Sequence, residues 1–159
     1  MLKRTIQRIF TREHAASTKA LSSEFCSAKY WELRYQQGGT SGAGSYGQLA
    51  EFKADVLNHF VQQENVKSVM EFGFGDGNQL SLGNYPTYTG FDISHQAVTI
   101  CRDKFADDKT KLFFPLDEYE GEVADLVLSL DVIFHLVEDE VYDHYMKQLV
   151  AATDRFLAI

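Results

Sequence analysis

Three alternating glycines follow a carboxylate near the middle of the chain, in the order Glu71, Gly73, Gly75 and Gly77. They come directly after a short apolar run, and glycine there lets the backbone turn sharply and approach a ligand closely. Asp92 ends the next apolar run, nineteen residues after Gly73. A carboxylate in that place can accept hydrogen bonds from both hydroxyls of a ribose. The two features together predict a binding site for a ligand that contains adenosine.

The glycine spacing separates two classes of adenosine-containing ligand. In the dinucleotide fingerprint the third glycine comes one place later, where this chain has Asn78. Glu71 also puts negative charge where a dinucleotide would bring its pyrophosphate. A ligand with an ammonium or sulfonium group would tolerate that charge, so a nicotinamide-dependent oxidoreductase is disfavoured.

Strands and helices that alternate along the chain must hold these residues. Five short apolar runs predict strands, and three stretches with apolar residues at helical spacing predict helices. The strands are expected at 67–72, 87–93, 111–116, 125–130 and 155–159, and the helices at 48–61, 94–105 and 138–150. Short strands that are apolar on both faces indicate an α/β fold, with a doubly wound, Rossmann-like, mostly parallel sheet and helices on both faces. Ligands of such sheets bind at the carboxyl ends of the strands.

Local sequence also predicts how two of the helices are built. Ser94 is a good N-cap for helix 94–105, because its hydroxyl oxygen can accept a hydrogen bond from a free backbone N–H. In helix 48–61 the residues at helical spacing that predict an apolar face are Leu49, Phe52, Val56, Leu57, Phe60 and Val61.

The order of the motifs resembles that of class I S-adenosylmethionine-dependent methyltransferases. The resemblance rests on the stretch from Glu71 to Gly77, on Asp92 and Asp117, and on SLDVIFHL at 129–136. The segments YWELRY at 30–35 and GGTSGAGSYG at 38–47 are similar to those of a group of small methyltransferases. The resemblance implies an S-adenosylmethionine-binding domain over 30–159, and the basic composition of residues 1–29 predicts an N-terminal helix or arm before it.

The resemblance also implies roles for single residues. Glu71 and the glycine backbone would hold the methionine part of the cofactor, Asp92 the ribose, and Ile93 the adenine. His135 is the best candidate for a base that assists transfer, and Asp131 is the second. The cofactor-binding residues implied are Tyr30, Trp31, Arg34, Glu71, Gly73, Gly75, Gly77, Asp92, Ile93, Asp117, Ser129 and Leu130.

Each of these assignments has a plainer alternative. Asp92 could only cap the helix that follows it, and Asp117 could lie in a solvated turn. His135 could be a hydrogen-bonded loop histidine, and Trp31 with its tyrosine neighbours could be a hydrophobic plug over the core.

Charge excludes some partners. The net charge is −8, but residues 1–30 carry six Lys and Arg against two Glu, so this segment is +4 and the remainder is −12. An acidic body makes a nucleic acid an unsuitable substrate, since phosphates are bound by basic surfaces. The basic start predicts an ordinary helix or arm; a targeting segment and a helix laid on a partner or membrane surface are the alternatives.

Cysteine usage and hydropathy indicate the cellular compartment and whether the chain crosses a membrane. Cys26 and Cys101 fit no metal or redox spacing, which indicates free thiols in a reducing compartment and predicts a cytoplasmic protein. Asp125 and Asp131 interrupt the best apolar stretch, so no membrane span is expected. His135, Glu138 and His144 match no zinc pattern, so no metal is expected either.

This sequence contains only part of the sheet that is typical of the family. That sheet continues beyond the fifth strand, whereas this sequence ends at Ile159, so we expect a sheet truncated after strand five. Phe156, Leu157 and Ile159 would then lie poorly covered at an edge. A fragment that still folds and an N-terminal segment folded over the edge are two explanations, and a homodimer through the fifth-strand edge is the favoured third.

The expected function is methyl transfer from S-adenosylmethionine to a small-molecule acceptor, impaired by the missing strands. The alternative is a non-catalytic module that binds S-adenosylmethionine or another protein.

Overall fold

A five-stranded parallel sheet forms the centre of the molecule. The computed structural model describes residues 25–159, and the expected basic arm lies outside them except for residues 25–29. The strands are β1 (Val69–Phe72), β2 (Tyr88–Asp92), β3 (Lys111–Pro115), β4 (Ala124–Leu128) and β5 (Thr153–Ala158). Their order in the sheet is β3-β2-β1-β4-β5, and all four pairings are parallel. All five predicted strands are therefore present.

Within residues 25–159, four α-helices connect or cover the strands. They are α1 (Ser27–Gln36), α2 (Gly47–Gln63), α3 (His95–Lys104) and α4 (Asp139–Ala151). Helix α3 begins as predicted, because the Ser94 hydroxyl accepts a hydrogen bond from the Ala97 N–H at 3.1 Å. The proposed boundary between residues 29 and 30 falls inside α1. No helix within residues 25–159 is both long and apolar enough to cross a bilayer.

The core has one hydrophobic cluster on each face of the sheet. Leu126 and Leu128 of β4 belong to the cluster that α2 and α3 cover, whereas Val127 between them packs with Leu149 of α4. Successive residues of a strand point to opposite faces, so β4 is buried on both sides. The expected doubly wound fold with helices on both faces is thus present.

Helix α2 buries a different face from the one predicted. Leu57 and Val61 are buried as expected, but they are joined by Ala50 and Ala54. Small alanines let the start of the helix lie close to the body of the protein. The larger side chains consequently turn outward: Leu49, Phe52 and Val56 are 58%, 66% and 52% exposed.

Strand β5 lies at the edge of the sheet and is better covered than expected. The Phe156 ring packs edge-on against Phe60, with ring centroids 5.0 Å apart. Leu157 packs against the cluster beneath α4, and both residues are half-buried, whereas Ile159 is exposed. A homodimer through this edge stays a prediction.

Candidate functional site

A cavity of about 210 Å³ lies at the carboxyl ends of β1, β2 and β4. Helix α1 closes it from one side, and the segment between β4 and α4 closes it from another. The predicted site residues that line it are Trp31, Glu71, Gly73, Gly75, Asp92, Ile93, Leu130, Asp131 and His135. The structure therefore brings together most of the residues that were predicted to act together.

Two predicted site residues of α1, Tyr30 and Arg34, lie outside the cavity, on the outer side of the helix. The Arg34 guanidinium donates to the Thr40 carbonyl at 2.6 Å and to the Tyr30 hydroxyl at 3.2 Å. It also lies 5.7 Å from the centre of the Trp31 ring. Of these residues only Trp31 lines the cavity, and Arg34 and Tyr30 pack around its outer side.

Asp117 and Ser129 also lie away from the cavity wall. Asp117 is exposed in a short turn after β3, and its neighbour Leu116 lines the cavity instead. The Ser129 hydroxyl shares a 2.8 Å hydrogen bond with the Tyr145 hydroxyl, which donates to the Phe72 carbonyl at 3.0 Å. Ser129 is thus held within the sheet and α4.

Two of the predicted glycines make close contacts with different parts of the protein. Gly75 has φ +61°, and a Cβ atom there would lie 2.2 Å from the Ser41 hydroxyl oxygen and 2.7 Å from that of Tyr35. Gly77 has φ +68°, and its Cβ would lie 2.7 Å from the sulfur of Cys101 on α3. The absence of a side chain at Gly75 therefore lets the segment after α1, residues 37–46, pack against the glycine turn. Gly77 instead lets the turn pack on α3, and it does not line the cavity.

A pair of alanine substitutions measures the contact at Gly75. Gly38→Ala is expected to lower the free energy of unfolding by about 1 kcal/mol, because its φ of +76° disfavours a side chain that would otherwise meet open space. Gly75→Ala should lower it by a further 1–3 kcal/mol or so, because the methyl group must displace Ser41. Urea unfolding of both variants tests this. Equal losses would mean that the segment does not pack on the turn.

Asp76, which was not predicted as a site residue, fastens the segment after α1 to the glycine turn. It is 8% exposed. One oxygen accepts hydrogen bonds from the Ser41 N–H at 2.8 Å and the Tyr46 hydroxyl at 2.9 Å, and the other accepts one from the Asn78 N–H at 3.0 Å. Its position between Gly75 and Gly77 is the sequence feature that could have indicated this role.

Two glutamates, likewise unpredicted, hold α1 over the cavity. Glu32 accepts hydrogen bonds from the Ser94 hydroxyl at 2.7 Å and the Gln96 N–H at 3.2 Å. Glu138, at the start of α4, accepts one from the Ser27 N–H at 3.0 Å, and its two oxygens share the proton of the Ser27 hydroxyl at 3.2 and 3.0 Å. The bond from the Ser27 N–H is the main reason that the pKa of Glu138 is lowered. Helix α1 is thus tied to α3 and α4, on the two sides of the sheet.

The central carboxylates of the site are both buried. Glu71 is 3% exposed and accepts a hydrogen bond from the Tyr88 hydroxyl at 2.7 Å. Asp92 is 4% exposed and accepts one from the Gly75 N–H and one from the Ser94 N–H, both at 2.9 Å. Asp92 therefore also organises the start of α3, in agreement with the alternative interpretation that it caps this helix.

Burial changes the protonation of these two acids. It raises the pKa of Glu71 to about 7 and that of Asp92 to about 6. Within residues 25–159 neither carboxylate has a Lys, Arg or His nitrogen within 4.0 Å. Buried acids with raised pKa values in a cleft are typical of functional sites, because a ligand can supply the missing donors.

The two candidate bases differ in their surroundings. Asp131 has φ +59°, unusual for a residue other than glycine, and forms an ion pair with Lys53 of α2 at 2.5 Å. The His135 ring lies edge-on to Trp31, with centroids 5.0 Å apart, and burial lowers its pKa. A neutral imidazole can accept a proton near pH 7, whereas the Asp131 carboxylate already accepts a hydrogen bond from Lys53. Residues 25–159 contain no group of three His, Cys, Asp or Glu that could hold a metal.

Comparisons with known proteins agree with this geometry at the level of the fold. The sequence matches no protein-family model and no curated protein. The structure is similar to the methyltransferase domain of bacterial CtHen1, with TM-score 0.58 and 22% identity over 66% of this chain and 61% of that one. It is also similar to magnesium protoporphyrin IX methyltransferase (ChlM) from Synechocystis PCC 6803 with bound S-adenosylmethionine, with TM-score 0.58 and 17% identity over 84% and 76% of the two chains.

A third similar structure is the N-methyltransferase NodS from Bradyrhizobium japonicum WM9 in complex with S-adenosylhomocysteine. Its TM-score is 0.55, with 14% identity over 65% of this chain and 55% of that one. The chain thus spans about three-fifths of the CtHen1 domain and little more than half of NodS. At these identities the likeness concerns architecture alone. This chain has the fold of class I S-adenosylmethionine-dependent methyltransferases, as its motifs predicted.

Proposed function

We propose that the cavity binds S-adenosylmethionine and that the protein transfers its methyl group to a small-molecule acceptor. The observation that carries this proposal is the pair of buried carboxylates, Glu71 and Asp92, on either side of the glycine turn. Both lie in the cavity without an ion-pair partner in the described part of the chain. A pyrophosphate would be repelled there, whereas an ammonium group and ribose hydroxyls would supply the donors that the two acids need.

The residues present fit this cofactor. Glu71 would bind the ammonium group, Asp92 the ribose hydroxyls, and the half-exposed Ile93 side chain would pack on adenine. The cofactor would supply a methyl group already activated on a sulfonium. The chain's own part is then to orient the acceptor and to exclude water with α1. A ring nitrogen of His135 would take the proton from an acceptor that must lose one.

Calorimetric titration of the full chain with S-adenosylhomocysteine tests the proposal, with NAD as the control ligand. We expect saturable binding of S-adenosylhomocysteine and none of NAD. Binding of NAD would favour an oxidoreductase, and binding of neither would remove the cofactor from the proposal. The non-catalytic alternative requires a second measurement: S-adenosylhomocysteine formed from S-adenosylmethionine in the presence of candidate acceptors.

A cytoplasmic location also remains a prediction. Cys26 is exposed and Cys101 buried, and both are free thiols.

A further inference from the structure

Gln79 lies in the cavity wall just after the glycine turn and is only 6% exposed. Its side-chain nitrogen donates to the Ala50 carbonyl, in the first turn of α2, at 3.1 Å. Its side-chain oxygen, Oε1, has no hydrogen-bond partner, which is true of no other buried side-chain nitrogen or oxygen within residues 25–159. A buried amide oxygen without a donor is rare and calls for an explanation.

The orientation of this amide is fixed by its neighbour. Turning the amide over would bring Oε1 against the Ala50 carbonyl, so that two acceptors would face each other without a proton between them. The nitrogen must therefore point to Ala50, and Oε1 is left buried and without a donor in a residue that lines the cavity. A ligand that donates an N–H or O–H there would complete its hydrogen bonding.

The position of Gln79 in the fold indicates which donor this is. Ala50, its anchor, lies one turn before Lys53 on α2, and Lys53 forms an ion pair with Asp131, beyond β4. Lys53 is also close enough to Glu71 to lower the pKa of that acid against the larger effect of burial. Gln79 is thus anchored to the part of α2 that faces the ends of β1 and β4. Asp92 lies beyond β1 on the other side, at the end of β2.

We propose that Gln79 Oε1 accepts a hydrogen bond from the ammonium group of S-adenosylmethionine, next to the carboxylate of Glu71. The inference rests on the proposed function and adds a residue to it. An ammonium group has three donors, and one carboxylate oxygen of Glu71 is already bonded to Tyr88. A second, neutral acceptor provides for another of those donors without adding a further buried charge.

Two variants with two ligands test this. Gln79→Met and Gln79→Glu both lose the bond to Ala50, but only the glutamate keeps an acceptor oxygen in the place of Oε1. The ligands are S-adenosylhomocysteine and 5′-methylthioadenosine, which lacks the amino-acid part. We expect Gln79→Met to raise the Kd of S-adenosylhomocysteine ten-fold or more, roughly the effect of losing a hydrogen bond to a charged group. The Kd of 5′-methylthioadenosine should change by less than about three-fold, and Gln79→Glu should restore most of the difference.

The control is Asn78→Ala. Asn78 makes a similar bond, to the Ser45 carbonyl at 2.6 Å, but does not line the cavity, so its loss should affect both ligands alike. The same result for Gln79→Met would make Gln79 a structural anchor and overturn the inference, as would unchanged affinities. Gln79→Leu replaces the methionine variant if that variant does not fold. Failure of the unaltered chain to bind S-adenosylhomocysteine would instead overturn the proposed function.

Discussion

Replacing Glu71 by glutamine is expected to stabilise the protein at pH 8 while weakening its binding of S-adenosylhomocysteine. Burial raises the pKa of Glu71 from 4.5 to about 7. Between these two values the folded state binds more protons than the unfolded state, so the free energy of unfolding falls as the pH rises through this window. The full shift corresponds to an upper limit of about 3 kcal/mol by pH 8. Glutamine carries no charge and can still accept the bond from Tyr88.

Urea unfolding at pH 5 and pH 8 measures this effect. The stability difference between Glu71→Gln and the unaltered chain should be small at pH 5 and grow by roughly 2 kcal/mol by pH 8. Glu51→Gln is the matched control, because Glu51 is exposed on α2 and does not line the cavity. Parallel profiles for Glu71→Gln and the unaltered chain would mean that Glu71 is not buried as described.

Binding should respond in the opposite direction. A cationic ammonium group favours ionised Glu71, so the affinity for S-adenosylhomocysteine is expected to rise as the pH increases towards about 7 and to level off above it. Below pH 6 the ionisation of Asp92 contributes to the same rise. Glu71→Gln should remove the part between pH 6 and 8 and weaken binding at pH 8 by roughly 1.5–3 kcal/mol. Calorimetry across this range measures both. A stabilised variant with undiminished affinity would separate Glu71 from the ligand.

The fold could be predicted because its signals are local. Each strand is a short apolar run between polar residues, and the cap at Ser94 is formed by groups three residues apart. The buried face of α2 could not be predicted in the same way. It depends on how closely the helix approaches the glycine turn, and this favours Ala50 and Ala54 over the larger Phe52.

The residues of the site also differ in whether the sequence could predict them. Glu71, Asp92 and Leu130 lie at or next to the carboxyl ends of parallel strands, so topology alone brings them together. Gln79 and Glu138 could not be found this way. Gln79 is oriented by α2 and Glu138 by the start of α1, and both contacts join segments far apart in sequence.

Asp92→Ala is expected to weaken binding of S-adenosylhomocysteine by about 1.5–3 kcal/mol, because charge-assisted hydrogen bonds to the ribose are lost. The substitution also leaves the Gly75 and Ser94 N–H groups without their acceptor. Asp92→Asn, which keeps the shape and one acceptor oxygen, should therefore lose less. Calorimetry of both variants, with thermal unfolding to follow stability, distinguishes the affinity lost with the ribose contact from the affinity lost through disruption of the turn.

The control for Asp92 is Asp117→Ala. Family resemblance assigns both acids to the cofactor, but the structure places Asp117 in an exposed turn away from the cavity wall, so its loss should leave affinity unchanged. The choice of ligand also separates Asp92 from Glu71. Because the ribose is common to both ligands, Asp92→Ala should weaken 5′-methylthioadenosine as much as S-adenosylhomocysteine, whereas Glu71→Gln should weaken only the latter. If Glu71→Gln weakened the binding of both ligands, or if Asp92→Ala weakened the binding of S-adenosylhomocysteine alone, the cofactor would lie in the cavity in the opposite orientation.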